Sequence, residues 1–243
     1  MNSRVFTSIR AAAALLLLAV VLAPGSMATE AGKSAQGASM PVYKPPLRGA
    51  TAAGRIGGGT RGKGERAFTL AVLAPDHTGL TVSAQPTLYW FVSERVTRPV
   101  ELTLVDDRGS APVLELALEP PIEPGIHAVR LAEHGVELEP LVPYEWFVAL
   151  VVDAAQRSND IVAGAEIQRV SAPEDLLARV SAADEGARPG LYARAGYWYD
   201  ALDGLSAQIG QSTPSGGPRA QRAALLEQVG LSTAAAYDRT ERP

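Results

Sequence analysis

A dense group of hydrogen-bonding side chains lies between positions 153 and 160. Asp153, Arg157, Ser158 and Asp160 lie there, between two segments with β-strand character. Because β-sandwich folds place binding sites in the loops at one end of the sandwich, these four residues are candidate binding residues. The alternative is a self-capped turn, in which Arg157 pairs with Asp153 or Asp160 and the Asx and Ser side chains bond nearby backbone. We favour the turn, since turns require such residues in any case.

A second candidate is a cationic segment ahead of the first β-like run. Arg61 and Lys63 lie there in a Gly-rich stretch. They are candidates to contact an anionic lipid, a surface polymer or the acidic remainder of the chain, and a plain spacer is the equal alternative. The spacing of Gly57, Gly62 and Lys63 imitates a phosphate-binding loop. Such a loop needs Ser or Thr at the next position, which is Gly64, and a strand before it, so we reject nucleotide binding there.

The sequence contains no recognisable catalytic, cofactor or metal site. The chain has 3 histidines and no cysteine, which excludes disulfides, Cys-ligated zinc, iron–sulfur clusters and cysteine nucleophiles. The histidines lack metal-ligand spacing, and no Gly-x-Ser-x-Gly motif occurs. A net charge of −4 and a pI near 5.5 argue against a nucleic-acid-binding protein, which usually carries a basic face.

The N-terminus has the pattern of a targeting signal. Arg4 and Arg10 precede an apolar run over residues 11–22, and small residues follow up to Ala28. This order is typical of a secretory signal peptide over residues 1–28, cleaved after Ala28. A membrane anchor is the alternative, but the apolar run is shorter than the roughly 20 residues that span a bilayer. We expect a periplasmic or secreted protein with no transmembrane segment after cleavage.

Charge is distributed unevenly along the rest of the chain. Removing residues 1–28 takes away two arginines and no acid, so the net charge changes from −4 to −6. Residues 29–66 carry 7 basic and 2 acidic side chains, whereas residues 67–243 carry a net charge of −11. Because residues 29–66 are rich in Gly, Pro and Ser, we expect a flexible basic arm there, with residues 41–46 extended. We also expect no regular structure over residues 57–62, because ordering glycine costs much backbone entropy.

Residues 67–170 have the pattern of a β-sandwich domain. Short β-like runs recur between turns, and apolar residues alternate with polar ones at positions 100–104 and 114–118. Such alternation indicates half-buried antiparallel strands, and seven or eight of them favour an immunoglobulin- or fibronectin-III-like antiparallel sandwich. Strand parity assigns Trp90, Tyr144 and Trp146 to the structural core. The Tyr144 hydroxyl is expected to bond back to upstream backbone, as at the corner between strands E and F.

The pattern of residues 171–243 predicts a helical extension. We therefore expect a mainly β chain with a C-terminal α-helical part. Helices are expected to start near residue 173 and to cover residues 191–209 and 220–229. Tyr89, Phe91 and Phe147 alternate with core residues and therefore point away from the core. Because large outward aromatic side chains need a cover, we expect the C-terminal helices to pack over them.

Several motifs follow one another in a fixed order along residues 43–232. They are Tyr-Lys-Pro-Pro at 43–46, Arg-Ile-Gly-Gly-Gly-Thr-Arg-Gly at 55–62, Pro-Thr-Leu-Tyr-Trp-Phe at 86–91, Tyr-Glu-Trp-Phe at 144–147 and Gly-Tyr-Trp-Tyr-Asp-Ala-Leu at 196–202. This set resembles the domain-of-unknown-function family 928. The resemblance implies an exported bacterial protein with no assigned activity and no known catalytic residues.

The sequence therefore favours an exported, non-enzymatic envelope module. We expect it to bind an envelope protein or an anionic surface polymer through loops or a strand edge, with help from the arm and the helices. No nucleic acid, cofactor or metal is expected. The alternative is a periplasmic hydrolase or carbohydrate-processing enzyme whose site lies between the sandwich and the helices. Converging carboxylates or a Ser–His pair there would favour the enzyme.

Overall fold

The computed structural model describes residues 39–46, 55–59, 68–109, 111–211 and 217–240. Most of the described chain from residue 56 to 169 is β-strand, and the helices follow it. The strands are β1 (Ile56–Gly59), β2 (Phe68–Val72), β3 (Gly79–Thr81), β4 (Thr87–Val92), β5 (Val100–Asp106), β6 (Leu114–Leu118), β7 (Gly125–Arg130), β8 (Pro143–Leu150) and β9 (Ile161–Arg169). The α-helices are α1 (Glu174–Ala182), α2 (Arg188–Ala195), α3 (Trp198–Gln211), α4 (Gly217–Gln228) and α5 (Ser232–Arg239). The predicted signal peptide ending at Ala28 lies outside the described residues.

The strands form two sheets. One sheet has the order β1-β2-β4-β7, and all its neighbouring strands are antiparallel. The other has the order β3-β9-β8-β5-β6, in which β3 runs parallel to β9 and the remaining pairs are antiparallel. The prediction of a mainly β protein with a helical C-terminal part is confirmed, while the second sheet is mixed rather than wholly antiparallel.

Alternation along the strands builds a large core between the sheets and the helices, and a smaller apolar cluster lies around Leu176, Val180 and Tyr197. In β5, Val100, Leu102 and Leu104 are buried while the residues between them are half-buried. Trp90, Tyr144 and Trp146 are all buried and belong to the same cluster of apolar side chains. The Tyr144 hydroxyl accepts the backbone N–H of Glu139 at 3.0 Å, five residues upstream, which fixes the chain as it enters β8.

The C-terminal helices cover one face of the first sheet. All six residues of β4 are buried. The Tyr89 hydroxyl donates to Asp203 of α3 at 2.7 Å, and the Phe91 ring contacts the edge of Tyr237 on α5 with centroids 5.6 Å apart. Phe147 makes a different contact from Tyr89 and Phe91, because its ring lies over Gly164 of the neighbouring strand β9.

The expectation that residues 57–62 lack regular structure is wrong for residues 57–59. They continue β1, which pairs with β2 from Ile56 opposite Ala71 to Gly59 opposite Phe68. A Cβ added at Gly57 would lie 2.5 Å from the carbonyl oxygen of Val162. Glycine is therefore needed where β1 passes close to the backbone of β9, and packing between the sheets outweighs its conformational entropy.

The helix predicted over residues 191–209 is two helices. Gly196 adopts φ of 88° and ends α2, and its N–H bonds the carbonyl of Ala193. A residue in this left-handed conformation cannot continue a helix, and glycine adopts it without steric cost. The chain therefore turns at Gly196 before α3 begins at Trp198. None of the helices in the described part of the chain is both long and apolar enough to cross a bilayer.

Candidate functional site

The polar loop between β8 and β9 is tied to itself and to the neighbouring sheet. Arg157 Nε donates to Asp160 Oδ2 at 2.6 Å, and the same guanidinium bonds both carboxylate oxygens of Glu101 on β5. These two carboxylates raise the pKa of Arg157. Asp160 Oδ1 accepts the backbone N–H of Val152 at 3.0 Å, and Asp153 Oδ1 accepts that of Ala155 at 2.8 Å.

The structure therefore brings Asp153, Arg157, Ser158 and Asp160 together in one turn, in which the first three residues are exposed and the Asp160 side chain is almost fully buried. Three of the four side chains are engaged by neighbouring groups, as the self-capped turn requires. Ligand binding by this loop stays a prediction. The other candidate binding residues, Arg61 and Lys63, lie outside the described residues.

Two carboxyl groups lie where the sequence placed the alternative enzyme site, between the sheets and the helices. Asp203 on α3 accepts the Tyr89 hydroxyl, and Asp200 Oδ2 accepts the backbone N–H of Val82 at 3.1 Å. Burial raises the pKa of Asp200 to about 7, against the opposing effect of hydrogen bonds from Val82 and Thr81. Asp203 therefore joins α3 to β4, and Asp200 joins α3 to the residue that follows β3. The alternative enzyme stays a prediction.

Replacing Asp200 with asparagine is expected to raise the melting temperature more at pH 8 than at pH 5. The two increases should differ by roughly 4 °C or more. The pKa of Asp200 is raised in the folded state, whereas an unfolded aspartate has a pKa of about 3.9. The folded state therefore loses stability as pH rises between those two values, and the cost persists above pH 7. Asparagine stays neutral and its carbonyl keeps the Val82 bond. Thermal unfolding at both pH values measures this, and equal shifts would contradict it.

The second sheet presents an outward face with apolar side chains in its middle. On this face Phe147 lies opposite Thr103 of β5 and Gly164 of β9. A Cβ at Gly164 would lie 2.4 Å from a Phe147 ring carbon, so glycine lets the ring lie flat on the strand. Val162 is two residues away on the same face and is 45% exposed. This half-covered apolar strip is accessible from solvent.

Carboxylates surround the strip. Glu101, Glu115, Glu145 and Glu166 share this face by strand alternation. Glu145 lies directly opposite Glu166 on the adjacent strand, a register in which like charges repel. We call the surface formed by Glu101, Thr103, Glu115, Glu145, Phe147, Val162 and Glu166 the acidic face.

The carboxylates of the acidic face differ in their partners. Glu101 pairs with Arg157, and Glu166 accepts the hydroxyl of Thr78 at 2.7 Å. Glu115 and Glu145 are exposed, and within the described part of the chain neither has a hydrogen bond or an ion pair. Two unpaired negative charges beside an exposed apolar strip complement an extended segment that carries both cationic and apolar side chains.

Sequence reasoning missed the acidic face as a unit. The outward parity of Glu115 and Phe147 was readable from the alternation, but the order β9-β8-β5-β6 that brings them to one surface was not. Among the residues that the structure describes, no three His, Asp or Glu side chains are grouped to hold a metal ion.

Comparison with known proteins gives a family match. The family model described as Domain of Unknown Function (DUF928) matches residues 56–238. No curated protein matches the sequence. Among solved structures, the crystal structure of an engineered protein at 1.98 Å is similar over 43% of this chain, with 14% identity and a TM-score of 0.28. The similar part covers 20% of the length of that engineered chain.

Proposed function

The chain belongs to the DUF928 family, a domain of unknown function, and we propose that it is an exported, non-enzymatic binding module of the bacterial envelope. The partner is a protein segment with cationic and apolar side chains, and it docks on the acidic face. The observation that carries this proposal is the pair of exposed, unpaired carboxylates, Glu115 and Glu145, beside Phe147 and Val162.

Export rests on the predicted signal peptide over residues 1–28. Within the predicted basic arm over residues 29–66, residues 39–46 rest on helices and residues 56–59 form β1. The proposed contact with anionic surface polymers therefore rests on the rest of the arm, which includes Arg61 and Lys63. The two surfaces have opposite signs of charge, so they suit different partners. In the proposed arrangement the arm holds the protein near an anionic surface while the acidic face takes a cationic protein segment.

The two sheets suit an immunoglobulin-like sandwich, which we propose as the finer description of the fold. The order β9-β8-β5-β6 corresponds to the G, F, C and C′ strands of a variable-type sheet. The bond from the Glu139 N–H to the Tyr144 hydroxyl has the form of the tyrosine corner that recurs in such folds. Superposition of a crystal structure of this protein on immunoglobulin domains tests the assignment.

A labelled peptide, Lys-Lys-Val-Val-Lys-Lys, provides a probe for the acidic face, because its apolar centre and cationic ends match the strip and the carboxylates. The double change Glu115→Lys and Glu145→Lys is expected to weaken its binding by about tenfold or more, since each reversal replaces an attraction by a repulsion. Fluorescence anisotropy at low salt measures the affinity, which should also fall as salt rises.

The matched control reverses two exposed glutamates elsewhere, Glu137→Lys and Glu185→Lys. It changes the net charge by the same amount and is expected to leave peptide binding within about twofold of the unchanged protein. If the control weakens binding as much as the change on the acidic face, the peptide senses net charge alone and the proposed docking surface is wrong.

A further inference from the structure

Residues 39–46 lie outside every helix and strand that the structure describes, yet Tyr43 is only 7% exposed. The segment contains Pro41, Pro45 and Pro46, which lack an N–H and favour an extended backbone. Its neighbours Met40 and Val42 are 55% and 47% exposed. The segment therefore rests on the surface with two buried residues, Pro41 and the aromatic Tyr43, as a bound peptide does.

The backbone of this segment is held by groups of α2 and α4. The Gln228 side chain makes two bonds to the segment, because its Oε1 accepts the Tyr43 N–H and its Nε2 donates to the Pro41 carbonyl, both at 2.9 Å. Gln221 Nε2 donates to the Ser39 carbonyl at 3.2 Å. The Lys44 N–H donates to the carbonyl of Ala193 at 3.1 Å. These hydrogen bonds involve only main-chain atoms of the segment. Any extended peptide can therefore form them, provided that its residues carry an N–H at the donor positions.

The Tyr43 side chain supplies the specific contact. Its ring stacks on His77 with centroids 5.9 Å apart and meets the edge of Trp198 at 5.0 Å. The Asp76 carboxylate accepts from His77 Nδ1 at 3.2 Å, and in that tautomer the Tyr43 hydroxyl donates to His77 Nε2 at 2.9 Å. Burial also raises the pKa of Tyr43. This chain of bonds selects a tyrosine at the anchor position.

The end of α2 makes room for the residues that follow the anchor. A Cβ added at Gly196 would lie 3.0 Å from the Lys44 carbonyl oxygen and 3.6 Å from Pro46. The same glycine has the positive φ that ends α2. The turn before α3 thus combines a helix end with a surface on which a Pro-Pro pair can lie.

We propose that the groove formed by His77, Ala193, Gly196, Trp198 and Gln228 is a binding site for extended peptides of the form Tyr-x-Pro-Pro, which residues 39–46 of the same chain fill. This site uses none of the residues of the acidic face, so it goes beyond the proposed function. Gln228 binds the backbone of the peptide, and the pocket between His77 and Trp198 selects a tyrosine side chain.

The test uses the full chain with Tyr43→Ala, which leaves the anchor pocket empty. A labelled peptide of residues 39–46, Ser-Met-Pro-Val-Tyr-Lys-Pro-Pro, should then bind saturably and raise the melting temperature. The unchanged chain should bind it at least about tenfold more weakly, because its own segment competes at a high effective concentration. A peptide with Ala in place of Tyr should bind the variant at least about tenfold more weakly, because it lacks the anchor.

Adding Gln228→Ala to the variant should weaken binding of the same peptide, since both clamp bonds are lost. The proposal is overturned if the folded Tyr43→Ala chain shows no saturable binding, or binds the two peptides equally. Should that variant fail to fold, a chain with a protease site placed between residues 47 and 54 replaces it. After cleavage, its N-terminal fragment should exchange with the labelled peptide, and a failure to exchange overturns the proposal equally.

The peptide experiment also separates this site from the acidic face. Glu115→Lys with Glu145→Lys should leave binding of the Tyr-x-Pro-Pro peptide unchanged in the Tyr43→Ala background. A loss of binding there would place the peptide on the acidic face and overturn the groove.

Discussion

Replacing Asp238 with alanine is expected to lower the free energy of unfolding by about 3–5 kcal/mol. Asp238 on α5 receives two hydrogen bonds from the Arg222 guanidinium of α4, at 2.6 and 2.7 Å, and both side chains are buried. Arg222 also donates to Ser206 of α3 at 3.0 Å, so the group joins three helices. Removing the carboxylate leaves a buried cation without its counter-charge, which denaturant unfolding measures as a lower midpoint.

An exposed ion pair between the same two helices provides the control. Glu227 of α4 and Arg239 of α5 are 3.1 Å apart, with about half of each side chain in solvent. Replacing Glu227 with alanine is expected to cost at most about 1 kcal/mol, because water and salt screen the pair. If Asp238→Ala costs no more than Glu227→Ala, burial of the Arg222–Asp238 pair does not hold these helices together.

Truncation of Trp146 to alanine is the second large effect, with an expected loss of about 3–5 kcal/mol of unfolding free energy. Trp146 is fully buried on β8, and its Nε1 donates to the Tyr199 hydroxyl of α3 at 2.9 Å. The change removes packing between the sheets and also the bond that joins a strand of the second sheet to α3. Denaturant unfolding with an unchanged m-value is the measurement.

Two milder variants separate the hydrogen bond from the packing. Tyr199→Phe keeps the ring but removes both bonds of its hydroxyl, the one accepted from the Trp146 N–H and the one donated to the Glu166 carbonyl at 3.3 Å, at an expected cost of about 1–3 kcal/mol. Trp90→Phe removes an indole N–H that lacks a hydrogen-bond partner within the described residues. Its cost should therefore come from the smaller ring alone. A loss on Tyr199→Phe below about 0.5 kcal/mol would show that the Trp146–Tyr199 bond contributes little.

Local pattern was sufficient to predict the strands of the second sheet. Alternation at positions 100–104 and 114–118 marks β5 and β6 because their inward residues must be apolar and their outward residues face water. The corner at Tyr144 was also readable, since it depends on residues only five positions apart. Both features are short-range in the sequence.

Features that depend on distant partners were not predictable. Ile56–Gly59 is a strand because it pairs with β2, and its glycine at position 57 is required by the close approach to Val162, more than a hundred positions away. The Arg222–Asp238 pair joins two helices, and an isolated Arg and Asp carry no sign of burial. A signal was present for Asp200, because a single acid within the apolar run from Tyr197 to Leu202 suggests a buried carboxyl group.

The candidate sites also divide into one that neighbouring residues predicted and two that depend on partners distant in the sequence. The loop containing Arg157 was predictable because its residues are neighbours in sequence, and its contacts are those of a turn. The acidic face required the strand order, which places Glu115 two strands away from Phe147. The groove required the return of residues 39–46 to α4, a contact across more than 180 positions. Neither surface follows from composition or periodicity.

The most direct test of the acidic face is to map the bound Lys-Lys-Val-Val-Lys-Lys peptide on the protein by NMR. Titration into isotope-labelled protein should shift the amide signals of Thr103, Glu115, Phe147 and Val162 together. The signals of β4 should stay in place, because the helices cover one side of that strand and the core lies on the other. Glu115→Lys with Glu145→Lys should abolish the shifts. Shifts confined to the helices or to the loop at 153–160, or shifts that survive the double change, would contradict the proposal that this face binds the partner.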